Sequence, residues 1–202
     1  TMVSFWAVHA AVAAGKPALL YVHESSPVRR FFEPVLAPGL FPVVEEAFRR
    51  ATRVVFTADS SLQVFKPLGN RGNFTLLPSW VDAGRIDAFA AAHPPAELRR
   101  KHGLDPAAVL VVNIGSVCER KGQHVFIQAA ALLRDELSMR YPGRPIQFVM
   151  VGARPGLFLA TLQEEIARLG LGATTLFAPE TGEIFDYYQL ADLFVCTSFE
   201  ES

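Results

Sequence analysis

The sequence has little cysteine, almost no net charge and no long hydrophobic run. Its two cysteines, Cys118 and Cys196, have no partner at the spacing of a metal site or a redox pair, which indicates a reducing compartment and predicts a cytoplasmic protein. Nineteen basic and 20 acidic side chains exclude a broad attraction to nucleic acid or anionic lipid, so any anion site must be local. No run approaches the roughly 20 apolar residues that span a bilayer, and the first residues lack the basic flank and cleavage pattern that predict a signal peptide.

Two common nucleotide-binding motifs are also missing. The spacing from Gly115 to Lys121 does not give G-x-x-x-x-G-K-[ST], and no predicted strand is followed by G-x-G-x-x-G. These absences count against a P-loop NTPase and against a standard dinucleotide-dependent dehydrogenase.

Half of the residues are hydrophobic, which is typical of a folded globular protein. Residues 107–198 alternate between strand and helix patterns, which predicts parallel strands joined by helical crossovers. The strand segments are apolar without clean alternation, as expected for strands covered on both faces. The predicted strands are Val109–Val117, Ile146–Gly152, Thr174–Phe177 and Leu193–Thr197, and the predicted helices are Gln123–Glu136, Leu157–Leu169 and Gly182–Leu190.

The first half repeats this theme less regularly. Its predicted elements are helices Val3–Ala14 and Val43–Arg50 and strands Ala18–His23, Val54–Thr57 and Thr75–Leu77. We therefore predict an α/β protein with two Rossmann-like parallel-sheet domains, residues 1–82 and 107–202. Residues 83–106 are polar, alanine-rich and interrupted by prolines, which predicts an interdomain linker. The chain opens within a helical pattern and stops without a terminal signal, so we expect both domains to be incomplete.

Residues 27–42 hold Phe31, Phe32, Leu36 and Phe41 among four prolines, which predicts no long helix. Two interpretations compete. These side chains pack as a local core, which we favour, or they form an apolar surface, with Arg29 and Arg30, for a lipid-linked acceptor or for peripheral contact with a membrane.

The segment from Ile114 to Gly122 (IGSVCERKG) lies between a buried strand and the start of a helix. Ligands of open α/β sheets bind beyond the carboxyl ends of the strands, and a helix N-terminus attracts anions. Arg120 and Lys121 add positive charge there, while Gly115 and Gly122 allow close approach to the backbone. A diphosphate would fit this loop. The alternative is that Arg120 and Lys121 are a solvated basic pair on an ordinary loop.

At this point the chain resembles the retaining glycosyltransferases of the GT-B architecture, in the family called group 1 or family 4. The resemblance rests on four motifs in the family's order: GSVCERKGQHVFIQAAALL (115–133), FVMVG (148–152), YYQLADLFVCTS (187–198) and FEES (199–202). In the first half, YVHES (21–25), TADSS (57–61) and LPSWVD (77–82) resemble the end of the family's acceptor-side domain. Nearly the whole chain is covered.

The resemblance implies roles for several residues. Lys121 would neutralise the diphosphate of a nucleotide-sugar donor at the loop that begins with Gly115. Ser116 stands where the family usually has an arginine, so Arg120 would supply the second cation or binding would be weaker. Glu201, with Glu200 as the alternative register, resembles the first of two glutamates that hold the donor. His23 resembles the family's active-site histidine, which contacts the donor sugar.

The implied function is transfer of a sugar from a nucleoside-diphosphate sugar to a carbohydrate or lipid-linked acceptor in polysaccharide or glycoconjugate synthesis, with retention of configuration. No cofactor and no metal is expected, because the family uses side chains and a helix dipole and the sequence has no Asp-x-Asp pair. The alternatives are a non-catalytic binding module and a sugar-nucleotide epimerase of the same fold. We expect the 202-residue piece alone to be inactive and to self-associate through exposed sheet edges.

Overall fold

The computed structural model describes residues 1–69 and 72–200. Within them the chain divides into two compact units, Thr1–Val81 with Glu200, and Asp82–Phe199. Each unit contains its own parallel sheet, which confirms the predicted α/β class with two parallel-sheet domains. None of the described helices is both long enough and apolar enough to cross a membrane.

The first unit is a three-stranded parallel sheet covered by helices. Its elements are α1 (Phe5–Ala13), β1 (Leu19–Val22), α2 (Val28–Phe32), α3 (Phe41–Arg50), β2 (Arg53–Phe56), α4 (Asp59–Phe65) and β3 (Phe74–Leu76). The strand order is β1-β2-β3, with Leu20 opposite Val54 and Val55 opposite Thr75. Phe65 stacks on Phe48 and Phe56 at centroid distances of 5.0 and 5.8 Å, so aromatic rings join α3 and α4 to the sheet.

The proline-rich segment 27–42 contributes to this core. Phe32 and Phe41 are buried, and Phe31 and Leu36 pack against the same cluster. The segment contains a five-residue helix, α2, and one 3-10 turn, Pro38–Leu40, because its prolines stand at helix starts or between elements. These contacts confirm the local core that the sequence analysis favours over a membrane-facing surface.

The second unit has a four-stranded parallel sheet. Its elements are α5 (Ala83–Ala92), α6 (Pro95–Lys101), β4 (Val109–Ile114), α7 (Gln123–Arg140), β5 (Ile146–Ala153), α8 (Leu157–Arg168), β6 (Thr175–Pro179), α9 (Ile184–Leu190) and β7 (Leu193–Phe194). The strand order is β6-β5-β4-β7. Residues 83–106, for which the sequence analysis expects a linker, hold helices α5 and α6 and cluster with this unit.

Both faces of the second sheet are buried, as the unalternating strand sequences predict. Val109 and Val111 of β4 belong to one core cluster, and Leu110 and Val112 belong to the other. In β5, Phe148 and Met150 alternate with Val149 and Val151 in the same way. This two-sided burial follows from the period of two in a strand and from helices that cover both faces.

Two predicted strands are shorter than their apolar sequences. The β4 strand stops at Ile114 rather than Val117, and β7 stops at Phe194 rather than Thr197. Asn113 of β4 bonds the segment that follows β7: its Nδ2 donates to the carbonyl of Val195 (2.8 Å) and to Thr197 Oγ1 (3.3 Å). The apolar residues after β4 therefore form a structured loop at the edge of the sheet.

Candidate functional site

The second sheet has a point where the chain reverses its direction of growth. From β4 the chain adds β5 and then β6 on one side, and it returns to place β7 on the other side of β4. In open parallel sheets, ligands bind at such a switch point, beyond the carboxyl ends of the strands. The loop between β4 and α7, residues 115–122, stands at this position.

A cleft of about 460 Å³ lies at these carboxyl ends. Its wall includes three aliphatic side chains, three glycines and three polar residues. They are Ile114, Val151 and Ile184, then Gly115, Gly152 and Gly182, and then Ser116, Glu180 and Thr181. Apolar walls with a few polar groups and accessible backbone are typical of a site for a small organic ligand.

Two glycines next to the cleft are required by close packing. Gly122 has φ +64°, and a Cβ there would overlap the carbonyl oxygen of Thr197. Gly152 has φ +109°, and a Cβ there would overlap the carbonyl oxygen of Gly115. Any side chain at either position would be strained and would displace a neighbouring loop. Gly122 thus fixes the contact between the loops that follow β4 and β7.

Lys121 extends over the start of its own loop. Its aliphatic carbons lie 3.5 to 3.7 Å from the position that a Cβ of Gly115 would take. The backbone of Lys121 is held by Thr197, whose hydroxyl donates to the lysine carbonyl at 3.1 Å. Lys121 therefore lies beside the part of the cleft that Gly115 and Ser116 line.

Arg120 occupies the same 3-10 turn, Glu119–Lys121, immediately before α7. Its side chain is exposed, and its carbonyl accepts a hydrogen bond of 2.9 Å from the Phe199 amide. Helix α7 has 18 residues and begins at Gln123, so its dipole places partial positive charge next to Arg120 and Lys121. The turn is a concentration of positive charge at one end of the loop.

The sequence analysis does not identify Gln123, which stabilises the loop from inside. Its side chain is fully buried; Nε2 donates to the Ser116 carbonyl (3.3 Å), and Oε1 accepts from the Cys118 amide (3.4 Å). A buried glutamine requires hydrogen-bond partners, and here the partners are the backbone of the loop itself. The signal in the sequence is a polar residue at the start of an otherwise apolar helix stripe.

Two charged residues at the cleft are also absent from the sequence-based site, Arg154 and Glu180. The Ser116 hydroxyl donates to Glu180 Oε1 at 3.0 Å, and Arg154 Nε lies 3.1 Å from the same oxygen. Arg154 directly follows β5 and Glu180 directly follows β6. Their position at the carboxyl ends of neighbouring parallel strands is the signal that could have identified them.

The remaining predicted residues belong to the first unit or lie outside the described residues. His23 belongs to the first unit, follows β1, and is exposed with its ring 4.6 Å from that of Tyr21. Glu201 lies outside the described residues. Glu200, the alternative to it, clusters with the first unit, where its carboxylate accepts from Ser26 (2.7 Å) and pairs with Arg30 (3.1 Å). The structure brings together Gly115, Ser116, Arg120 and Lys121.

A separate polar cluster joins α6 to α9. Asp186 Oδ2 lies 2.6 Å from Lys101 Nζ and 2.7 Å from His102 Nε2, and Tyr187 bonds the other ring nitrogen of His102 (3.1 Å). Burial tends to raise the pKa of Asp186, but the hydrogen bonds from Lys101 and His102 outweigh it and the pKa is lowered. Burial, followed by the charge of Asp186, raises the pKa of Tyr187.

This cluster could be mistaken for a metal site, because ligand atoms of His102, Glu183 and Asp186 lie within 4.8 Å of one another. Lys101, however, contacts both carboxylates, at 3.0 Å from Glu183 and 2.6 Å from Asp186. These carboxylates raise the pKa of Lys101 by hydrogen bonding to its ammonium group. The ammonium group occupies the position between the two carboxylates with its own positive charge, so the cluster is a structural contact between two helices.

A protein-family model matches the part of the chain that contains the second sheet and the cationic loop. The model of the family described as "Glycosyl transferases group 1" matches residues 95–202, and the chain therefore belongs to this family. The match includes the whole of the cleft described above. The predicted resemblance is thus confirmed for the half of the chain that carries the cationic loop.

Curated relatives with similar sequences are glycosyltransferases. The D-inositol 3-phosphate glycosyltransferase of Rhodococcus erythropolis is 33% identical over 137 residues, which are 60% of this chain and 29% of the relative. The lipopolysaccharide core biosynthesis mannosyltransferase LpsB of Rhizobium meliloti is 28% identical over 173 residues, which are 76% of this chain and 47% of the relative. The chain spans less than half of the length of either relative.

A similar solved structure is that of HepE from Anabaena in complex with UDP and glucose. The likeness has a TM-score of 0.75 at 20% identity, and it covers 98% of this chain and 51% of that one. At this identity the likeness shows the fold, which is that of the GT-B glycosyltransferases.

Proposed function

We propose that the protein containing this chain transfers a sugar from a nucleoside-diphosphate sugar to a carbohydrate or lipid-linked acceptor, with retention of configuration and without a metal. The observation that carries the proposal is the position of Lys121. Its stem crosses Gly115 beside a cleft at the switch point of a parallel sheet, directly before the N-terminus of an 18-residue helix. This position suits a small organic ligand that carries an anionic group.

The chemistry explains why cations are needed there. As the bond between the sugar and the diphosphate loosens, negative charge grows on the leaving diphosphate. Lys121 and the dipole of α7 are positioned before the reaction and stabilise that charge, which lowers the barrier. Positive groups that are part of the chain can do this without a divalent ion, and this supports the proposal of metal independence.

Donor and acceptor classes are supported by the relatives and by the cleft. HepE is a protein of this fold in complex with UDP and glucose, and the named relatives act in inositol phosphate glycosylation and in lipopolysaccharide core synthesis. The apolar wall formed by Ile114, Val151 and Ile184 suits the base and ribose of a nucleotide. A cytoplasmic location, as proposed from the cysteine content, would give access to such donors.

One observation favours a second candidate function, a non-catalytic nucleotide-binding module. Ser116 stands where the family usually has an arginine, and its hydroxyl is bonded to the acidic side chain of Glu180. The loop therefore has one cation fewer, which would weaken stabilisation of a leaving diphosphate.

A turnover assay separates the two functions. The full-length protein that contains this chain is incubated with UDP-, GDP- and ADP-sugars and candidate acceptors in the presence of EDTA, and the anomeric proton of the product is followed by NMR. We expect transfer with retention that is reduced by about 100-fold or more in Lys121→Ala, as for loss of one transition-state charge contact. Lys16→Ala, an exposed lysine of the first unit, is the matched control.

Binding of a nucleoside diphosphate without any turnover would favour the non-catalytic module. Turnover that is abolished by EDTA and restored by a divalent ion would contradict metal independence. Inversion of the anomeric centre would contradict the retaining assignment.

A further inference from the structure

The segment that follows β7 contacts the turn that carries Lys121. The Thr197 hydroxyl donates to the Lys121 carbonyl at 3.1 Å, and the Phe199 amide donates to the Arg120 carbonyl at 2.9 Å. The carbonyl oxygen of Thr197 packs against Gly122 so closely that a Cβ there would overlap it. The backbone of the cationic turn is therefore held by a segment that is distant in sequence, since Thr197 and Lys121 are 76 positions apart.

A buried amide determines the direction of the Thr197 hydroxyl. Asn113 is only 4% exposed and is the polar residue of an otherwise aliphatic strand, β4. Its Nδ2 donates to the Val195 carbonyl at 2.8 Å and to Thr197 Oγ1 at 3.3 Å. A backbone carbonyl can only accept, so the amino group of Asn113 faces Val195, and the hydroxyl that accepts from it keeps its own proton for a further acceptor. That acceptor is the Lys121 carbonyl.

The peptide group between Lys121 and Gly122 lies at a permissive position of the backbone. Gly122 has φ +64°, and glycine adopts both signs of φ at little cost. The first amides of α7, those of Val125 and Phe126, donate to the Gly122 carbonyl at 2.9 and 3.3 Å, which is one residue beyond Lys121. The bond from Thr197 therefore fixes the peptide group that precedes the helix, and with it the direction in which the Lys121 side chain leaves the backbone.

We propose that Thr197, with its hydroxyl oriented by Asn113, is a positioning residue for donor binding: it holds Lys121 where the ammonium group meets the diphosphate. This inference rests on the proposed function, because it takes Lys121 as the cation that binds the diphosphate of the donor. A long lysine side chain loses conformational entropy when it binds, and a backbone that is already fixed reduces what remains to be ordered. Thr197 thus acts through Lys121.

The test is calorimetric binding of GDP, UDP and ADP to the full-length protein that contains this chain and to its Thr197→Val variant. Valine keeps the β-branched shape of threonine and removes the hydroxyl. We expect the tightest-binding diphosphate to bind about fivefold more weakly, as for loss of one hydrogen bond. Thr197→Ser keeps a hydroxyl and should restore most of the affinity.

A double-mutant cycle shows whether the effect passes through Lys121. In the Lys121→Ala background, Thr197→Val should change the affinity by less than about twofold, because the side chain that Thr197 positions is absent. Thr174→Val is the matched control and should leave the affinity unchanged. The Thr174 hydroxyl also donates to a backbone carbonyl, that of Leu171, at 3.1 Å, but Thr174 precedes β6 and lies at the end of the sheet opposite the cleft.

Unchanged affinity in Thr197→Val would overturn the inference but leave the transferase proposal intact. A loss that is equally large in Thr197→Ser or in the Lys121→Ala background would also overturn it, because the hydroxyl would then not act through Lys121. The inference would fail as well if Thr174→Val weakened binding to the same extent, since the loss would then reflect general destabilisation. Failure of all three diphosphates to bind the unaltered protein would contradict the proposed function itself.

Discussion

Gly122→Ala is the substitution for which the structure gives the clearest expected cost. Gly122 has φ +64°, and the new Cβ would overlap the carbonyl oxygen of Thr197 in the loop after β7. Gly103 has nearly the same backbone angle, φ +67°, but nothing lies within 4 Å of a Cβ built there. Both glycines belong to the second unit. The pair therefore separates the cost of the backbone conformation from the cost of the overlap.

The two costs can be estimated separately. Placing alanine in the left-handed region costs about 1 to 2 kcal/mol, and Gly103→Ala should show only this. The overlap in Gly122→Ala forces the two loops apart and adds about 1 to 3 kcal/mol, as for overpacking of a close-packed contact. We expect Gly122→Ala to lower the free energy of unfolding by about 2 to 5 kcal/mol in total, from these two terms.

Urea unfolding of the full chain, followed by circular dichroism at 222 nm, measures this difference. Tryptophan fluorescence would not serve, because Trp6 and Trp80 both lie in the first unit. The same variant should also lose nucleoside-diphosphate binding, since the displaced loop carries Lys121. If Gly122→Ala is no less stable than Gly103→Ala, the close contact between the two loops is not a feature of the folded protein.

Two further substitutions test the packing that holds the cleft. Arg99 is buried and donates to the carbonyls of Leu190, Pro106 and Ala108 and to Asp192. Arg99→Ala should therefore lower the free energy of unfolding in urea by about 3 to 5 kcal/mol. Substitution of its exposed neighbour, Arg100→Ala, is the control and should change that free energy by no more than about 0.5 kcal/mol. The lowered pKa of Asp186 means that its ionised form stabilises the fold above the unfolded pKa of about 3.9, and that this contribution is lost as the pH falls through the lower folded pKa. Asp186→Asn should therefore lower the free energy of unfolding in urea by about 1 to 3 kcal/mol at pH 7, and by progressively less toward pH 3. Asp87→Asn, at an exposed aspartate, is the control. An equal loss of stability at both pH values would contradict the ionic explanation.

Much of the second unit follows from sequence patterns. The apolar strands are covered on both faces, so their residues show no alternation, and helices such as α8 end next to Gly170, whose φ is +66°. The patterns do not predict the residue at which each strand ends. Val117 and Val195 are apolar, but both lie beyond the ends of β4 and β7, and the Val195 carbonyl accepts a hydrogen bond from the Asn113 side chain of β4. That bond joins residues 82 positions apart, and no local pattern records it.

Only part of the site could be predicted, because local sequence patterns do not record contacts between distant segments. The cationic loop is one continuous segment with a recognisable composition, so Gly115, Arg120 and Lys121 could be identified from the sequence. Glu180 and Arg154 belong to different loops, and only the order of strands β6-β5-β4 brings them to Ser116. The sequence analysis expects a linker at 83–106, and the structure has α5 and α6 there; prolines also begin helices, as Pro95 does in α6.

The central claim is that Lys121 holds the diphosphate of a nucleotide-sugar donor, and binding calorimetry tests it most directly. GDP, UDP and ADP are titrated into the full-length protein that contains this chain, into its Lys121→Ala variant and into the matched control Lys16→Ala. The account predicts micromolar binding of at least one diphosphate, unchanged in Lys16→Ala and weakened by about 10-fold or more in Lys121→Ala, as for loss of one charge-assisted contact. Equal affinity in Lys121→Ala and in the unaltered chain would contradict it.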